Sequence, residues 1–184
     1  MTARQWWPRL LAPSLLLLAL AAPASAADPD YARFFGEYEG VAISGGTGKA
    51  DTRDIRARIG PSSKGFTVNW LMTIHRAAGT DKHVEYTMTF LPTKRESVYS
   101  AAMSLDAFGN PVPLDPMKGD PYVWARIEGP TLTIYALTVT DRGGYDLQVF
   151  DRKLVPGGMM DLKYSRILDG QVQRTVTGRL KKVR

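Results

Sequence analysis

The residues best suited to metal chemistry are two histidines and a glutamate. His75 and His83 bracket a predicted hairpin over residues 76–82. A turn centred on Gly79 would place the two imidazoles opposite each other across the strands, with Glu85 two residues further along on the same face. Such groups can bind zinc or copper. Because the sequence supplies no secure third ligand and basic residues adjoin both histidines, we predict exposed polar residues at a loop rim and no metal site.

A glycine-rich stretch, Gly45-Gly46-Thr47-Gly48-Lys49, bears a partial likeness to a phosphate-binding loop. That motif requires a glycine five positions before its Gly-Lys pair and a serine or threonine after the lysine. Ile43 and Ala50 occupy those two positions. The stretch therefore predicts a hairpin loop between two strands and no nucleotide site.

Nucleophilic catalysis has little support in the sequence. There is no cysteine and no Gly-x-Ser-x-Gly motif, and neither histidine lies in a recognisable serine or aspartate context. Paired acids of the glycosidase type remain an alternative, since acidic residues of different strands could converge inside a barrel. They are Glu37, Glu39, Glu85 and Asp161. Enzymatic activity is thus left uncertain, with a non-enzyme favoured and no cofactor predicted.

The first 26 residues have the pattern of a cleaved signal peptide. Arg4 and Arg9 precede an apolar run, which ends at the small-residue cleavage site Ala24-Ser25-Ala26. The run is short and interrupted by prolines, which is unlike a membrane-spanning helix. Without a cysteine, lipid attachment of the bacterial lipoprotein kind is excluded. We expect residues 1–26 to direct export and residues 27–184 to form one domain in the periplasm or outside the cell.

The charge balance gives a weak indication of partners. The chain carries a net charge of +6, and part of the excess lies in the C-terminal residues 179–184. A basic terminus of this kind is usually solvated, and attraction to anionic envelope lipid is the second interpretation. Nucleic acid is not expected, because no reading motif is present. The sequence does not predict an oligomeric state.

Alternation of polar and apolar residues with a period of two runs through most of residues 27–184, whereas helical periodicity is nearly absent. Turn sequences rich in glycine, proline and aspartate interrupt it at regular intervals. The alternation and the turns together predict about nine or ten strands, at residues 35–45, 53–60, 65–76, 82–91, 97–103, 121–128, 130–139, 144–154, 159–167 and 171–182.

Short hairpins between consecutive strands favour a single up-and-down antiparallel meander. A meander of about 8–10 strands removes its exposed edges by closing into a barrel. A two-sheet sandwich is the competing architecture, but it would need a longer crossover connection. The one candidate is the proline-rich segment 106–120, which we interpret as a lid or rim loop.

These residues resemble the lipocalin-like, or calycin, group of β-barrels. The group opens with Gly-x-Trp on its first strand, and here Gly36-Glu37-Tyr38 stands at that place with tyrosine replacing tryptophan. A basic residue of the last strand packs across that ring in the group. The resemblance implies that Arg174, or alternatively Arg179, does so here and closes the barrel with Tyr38. It also implies non-covalent binding of a small hydrophobic molecule.

The barrel interior is the predicted ligand site. Large aromatic and methionine side chains contributed by many strands suit either a filled core or a cavity for an irregular apolar molecule. Arg126, together with Arg174, would place positive charge near an anionic headgroup. The predicted ligand-binding residues are Trp70, Met72, Tyr86, Met88, Trp124, Arg126, Tyr135, Tyr145 and Tyr164.

The sequence therefore favours an exported binding protein for a small hydrophobic or amphipathic molecule. One alternative is a structural or interaction module of the cell envelope with a filled barrel. An isomerase or hydrolase of the same architecture is less favoured. The identity of a ligand is not given by the sequence.

Overall fold

The structure is a computed structural model, and it describes residues 28–45, 52–75, 80–101, 104–105, 108, 111–112 and 114–184. The predicted signal peptide, residues 46–49 of the glycine-rich stretch and a third of the predicted lid lie outside these residues. No helix among the described residues is long and apolar enough to cross a membrane.

Alternating sequence produces strands throughout the described chain. The strands are β1 (Gly36–Gly45), β2 (Thr52–Pro61), β3 (Phe66–His75), β4 (Lys82–Pro92), β5 (Val98–Ala101), β6 (Ser104–Leu105), β7 (Pro111–Val112), β8 (Tyr122–Glu128), β9 (Thr131–Val139), β10 (Tyr145–Val155), β11 (Met159–Leu168) and β12 (Gln171–Lys182). Two short 3₁₀ helices, Asp30–Phe34 and Pro116–Lys118, complete the secondary structure of the described residues.

Ten of these strands form one closed antiparallel barrel, in the order β1-β12-β11-β10-β9-β8-β5-β4-β3-β2. Neighbours in sequence are neighbours in the sheet, apart from the small β6–β7 hairpin inserted between β5 and β8. Pairing of β1 with β12 closes the ring, so no barrel strand is an edge along its whole length. The predicted all-β up-and-down barrel is confirmed, and the sandwich alternative is wrong.

Burial follows the alternation along each strand. In β2, buried and exposed residues alternate from Thr52 to Ile59, so one face of the strand points into the barrel. Register then carries that face to the neighbouring strands: Ala57 lies opposite Tyr38 on β1 and opposite Trp70 on β3. The inward face of every barrel strand is fixed in this way.

The first 3₁₀ helix covers one end of the barrel. Phe34 is fully buried there, and its carbonyl accepts a 2.9 Å hydrogen bond from the Tyr38 hydroxyl. Tyr31 stacks on Phe66 with ring centroids 5.1 Å apart, and Asp30 accepts a hydrogen bond from the Tyr99 hydroxyl. We call this the plugged end, and the opposite end, where β3 finishes and β4 begins, the mouth.

The connection from β5 to β8 leaves the wall on the mouth side. It contains the β6–β7 hairpin and the second 3₁₀ helix, in which the Asp115 carboxylate caps the helix by accepting a 3.0 Å hydrogen bond from the Met117 amide. Among the described residues, the ladder between β4 and β5 ends at Phe90 and Ala101. The inward-facing Tyr86, higher on β4, is 59% exposed.

Candidate functional site

A cavity of about 660 Å³ occupies the mouth half of the barrel. Its volume lies within the range of about 300–1,000 Å³ that is usual for small-molecule sites. Below it, the plugged half is filled with fully buried side chains such as Leu132, Met160 and Leu180. Nine of the ten barrel strands contribute to the apolar lining. The lining residues are Ala42, Ile55, Trp70, Met72, Ile74, Val84, Tyr86, Met88, Val123, Ala136, Phe150, Leu162, Tyr164 and Val176.

Five of the residues predicted to bind a ligand are brought together by this cavity. Trp70 and Met72 reach it from β3, Tyr86 and Met88 from β4, and Tyr164 from β11. The Tyr164 hydroxyl donates a 3.2 Å hydrogen bond to Gln148, which also lines the cavity, and burial raises the pKa of Tyr164. The Tyr164 hydroxyl is therefore fixed by a hydrogen bond to another residue of the barrel wall.

Three other predicted residues are placed elsewhere, since Trp124, Arg126 and Tyr135 lie on the outer face of the barrel. The Trp124 and Tyr135 rings stack at 4.7 Å, and Arg126 forms a 3.0 Å ion pair with Glu128. Both faces of the β8 sequence YVWARIE carry apolar residues, so the sequence pattern fits either orientation. Register decides it, because the inner face of β8 is the one made of Val123, Ala125 and Ile127.

The same ambiguity occurs on β10. Tyr145, Leu147 and Val149 form one apolar face of the alternating sequence, but the opposite face, with Gln148 and Phe150, lines the cavity. Tyr145 begins the strand at the mouth, is 41% exposed and does not line the cavity.

The barrel-closing pair also differs from the expectation. Tyr38 is buried at the plugged end, as the resemblance implied, but the basic group over its ring is Lys182, with Nζ 5.9 Å from the ring centroid. Lys182 also donates a 2.6 Å hydrogen bond to the Phe35 carbonyl. Arg174 lies near the other end of β12, where its Nε donates to Ser44. The alternative, Arg179, pairs with Asp161 on the outer face.

Arg152 is the main residue that the sequence analysis missed. It lies on the inward face of β10, is 2% exposed and lines the cavity. Its guanidinium carbon lies 4.5 Å from the centroid of the Trp70 ring on β3, which is five places away in the ten-strand ring. The arginine side chain therefore crosses the barrel interior at the boundary between the cavity and the packed core.

The hydrogen-bonding capacity of Arg152 is poorly used. Its Nη1 makes only a long 3.5 Å contact with the Phe150 carbonyl, and its buried Nε has no hydrogen-bond partner among the described residues. Burial lowers the pKa of Arg152 to about 9, against the opposing effect of the Asp151 charge. Burying a guanidinium costs several kcal/mol unless it is paired, and a cation–π contact returns about 2 kcal/mol.

Further positive charge surrounds the cavity. Arg53 lines it from β2 and is 3% exposed. Arg166, Arg174 and Lys82 also line the cavity, and Arg166 forms a 2.6 Å ion pair with Asp146. Most of the lining side chains are thus apolar, and most of the charged ones are basic.

The histidines lie on the outer face near the mouth. His75 is bracketed by two carboxylates, with Asp54 at 2.9 Å from Nε2 and Asp81 at 3.0 Å from Nδ1. His83 instead lies across from Thr73, with which it shares a 3.0 Å hydrogen bond. The two imidazoles are therefore diagonal neighbours on one face and not directly opposite. No group of three or more metal-ligating residues occurs among the described residues.

The acidic residues do not converge on the cavity either. Each has a partner on the outer wall: Glu37 pairs with Arg58, Glu39 with Arg56, and Glu85 accepts a hydrogen bond from Asn69. Asp161 pairs with Arg179, whose hydrogen bond lowers the pKa of that carboxyl. None of these four lines the cavity, so they form no catalytic pair there.

The outer wall carries an apolar surface over β8 to β11. Trp124 pairs with Tyr135 across β8 and β9, and Leu147 lies between Leu137 on β9 and Ile167 on β11. These side chains are partly buried by one another and partly exposed.

The chain matches no family model, and a search of curated proteins likewise finds no match. The closed antiparallel barrel is compatible with a lipocalin-like fold.

Proposed function

We propose that this protein binds a small hydrophobic or amphipathic molecule non-covalently inside its barrel, as members of the lipocalin-like group do. The observation that supports the proposal is the cavity of about 660 Å³ with its aromatic, methionine and aliphatic lining. A barrel built only as a scaffold would be stabilised by filling this space, because empty apolar volume costs stability. Tyr38 at the plugged end supports membership of the group.

Export is part of the proposal and rests on the leader sequence. A signal peptide over residues 1–26 would deliver residues 27–184 to the periplasm or the medium, where the basic C-terminus could make weak contacts with anionic envelope lipid. In that setting the barrel would carry or sequester its ligand between envelope compartments.

Native mass spectrometry tests this proposal on protein isolated from the periplasmic fraction of the cells that produce it. We expect a mature mass starting near residue 27, with a stoichiometric apolar molecule that organic extraction releases. Ala136→Phe, which adds a ring inside the cavity, should reduce the co-purifying fraction. Val41→Phe is the matched control, since Val41 is on the outer face and 50% exposed.

The outer apolar surface supports a second candidate, an interaction module of the cell envelope. The same experiment separates the two candidates. If the protein is isolated in full yield without a bound molecule, and Ala136→Phe does not change its native mass spectrum beyond the substitution itself, the binding proposal is contradicted and the interaction module is favoured.

A further inference from the structure

The cavity lining holds a cationic group, Arg152, whose hydrogen-bond donors are only partly used by the protein. Arg152 lies at the cavity floor, and its buried Nε has no partner among the described residues. A guanidinium presents its donors in one plane, which matches the two oxygens of a carboxylate. An anion that enters from the mouth would therefore find unused donors at the deepest point of the cavity.

The surroundings favour an anionic group at this position. The Trp70 ring covers the guanidinium, whose carbon lies 4.5 Å from the ring centroid. The neighbouring carboxylate, Asp151, is engaged by the Thr133 hydroxyl at 2.8 Å. Asp146, nearer the mouth, is paired with Arg166. An anion that enters the cavity would meet the Arg152 guanidinium at the floor.

The remaining wall is apolar and long enough to hold a tail. From Arg152 towards the mouth, the lining passes through Phe150, Met72 and Val84. A molecule with one charged end and one apolar end can place its charged end against Arg152 and its tail along this apolar wall.

We propose that the ligand is an amphipathic monocarboxylate that binds head-first, with its carboxylate against Arg152 and its tail directed towards the mouth. This inference rests on the proposed function, because it names the ligand class of the same cavity. Arg152 is the specificity-determining residue.

Calorimetric titration of the purified protein with dodecanoate, dodecan-1-ol and acetate tests this inference. We expect dodecanoate to bind about tenfold or more tightly than dodecan-1-ol, which has a similar tail without the charge. Acetate should bind far more weakly than dodecanoate, since it lacks the tail. In Arg152→Met the preference for dodecanoate should fall to within about twofold, while dodecan-1-ol binding changes little.

Arg126→Met is the matched control, because it makes the same change on the outer face, where Arg126 pairs with Glu128. The preference should be unchanged in this variant. Equal binding of dodecanoate and dodecan-1-ol by the unmodified protein would overturn the inference and leave the proposed function standing. Binding of neither would contradict the proposed function itself. Tight acetate binding would show a site for small anions and overturn the amphipathic assignment.

A measurement of ligand orientation needs no variant and covers the case in which Arg152→Met does not fold. In nuclear Overhauser spectra of bound dodecanoate, the methylene next to the carboxylate should contact the Trp70 indole. The terminal methyl should contact residues near the mouth such as Val84. The reverse pattern, with the methyl against Trp70, would overturn the head-first arrangement.

Discussion

At the residue scale, the candidate site depends on one arginine that breaks the rule for barrel interiors. Buried residues of the plugged half, such as Leu132 and Met160, are apolar, and the Tyr38 hydroxyl has a hydrogen-bond partner. Arg152 is buried with an unpartnered Nε, an arrangement that a protein selected only for stability would avoid. Departures from local consistency concentrate at functional sites. The burial of Arg152 is thus consistent with its proposed role in ligand recognition.

His75 gives a prediction about protonation at the mouth. The hydrogen bond to Asp54, and next that to Asp81, raises the pKa of His75 above its ordinary value. A raised folded-state pKa means that the His75 contribution to stability is fully present below the unfolded-state pKa and is lost as the pH rises through the folded-state pKa. An NMR titration of the imidazole should show the raised pKa, and Asp54→Asn should lower it.

Asp141→Asn provides the control for that titration, since Asp141 lies in the exposed turn between β9 and β10, at least four places from β3 in the strand order. This substitution should leave the pKa of His75 unchanged. A His75 pKa at or below the ordinary value in the unmodified protein would contradict the two carboxylate contacts.

At the scale of elements, the sequence predicts strand existence and boundaries well and strand faces less well. The ten predicted barrel strands correspond to the ten observed ones, with most ends within one or two residues, because period-two alternation and turn residues are local properties. For β8 and β10 the inward face was not recoverable, since each strand carries apolar residues on both faces. Arg152 was missed for this reason: it follows Phe150 by two residues on β10, and only the assignment of Phe150 to the interior would have revealed it.

The β1–β12 pairing that closes the barrel, which we call the seam, depends on close approach of the two backbones. A Cβ on Gly178 would lie 2.7 Å from the Ala42 Cβ and 2.7 Å from the Val41 carbonyl oxygen. These atoms belong to the paired strand, so they cannot move without separating the seam. We expect Gly178→Ala to lower the free energy of unfolding by about 1–3 kcal/mol in chemical denaturation.

Gly60→Ala is the control for Gly178→Ala. It also lies in a barrel strand, β2, but a Cβ there would have no atom within 4 Å. Gly60→Ala should therefore leave the free energy of unfolding unchanged or slightly raised, since it restricts the unfolded chain. Equal destabilisation by the two substitutions would show that strand glycines matter for backbone conformation and not for the approach of β1 to β12.

At the scale of the whole molecule, the barrel combines a rigid half with an open half. Phe34, Phe66 and Leu132 are fully buried in the plugged half. The mouth half surrounds a cavity, and its inward residues, such as Tyr86, remain partly exposed. The proposed ligand site needs both properties, because the plugged half maintains the barrel while the mouth half must admit a molecule.

Native-state hydrogen exchange should reveal this division within one strand. Val68 and Thr73 are each the third residue from an end of β3, and both lie in stretches paired with β2 and β4. Fraying from the strand ends therefore affects them equally. We expect the Val68 amide to exchange at least about tenfold more slowly than the Thr73 amide, since opening the plugged half exposes more buried apolar surface.

Saturating dodecanoate should reduce the ratio of the two exchange rates, because it fills the cavity and slows exchange at Thr73. Equal rates without ligand would mean that the barrel opens as a single unit, and admission of a ligand would then require the packed half to loosen as well.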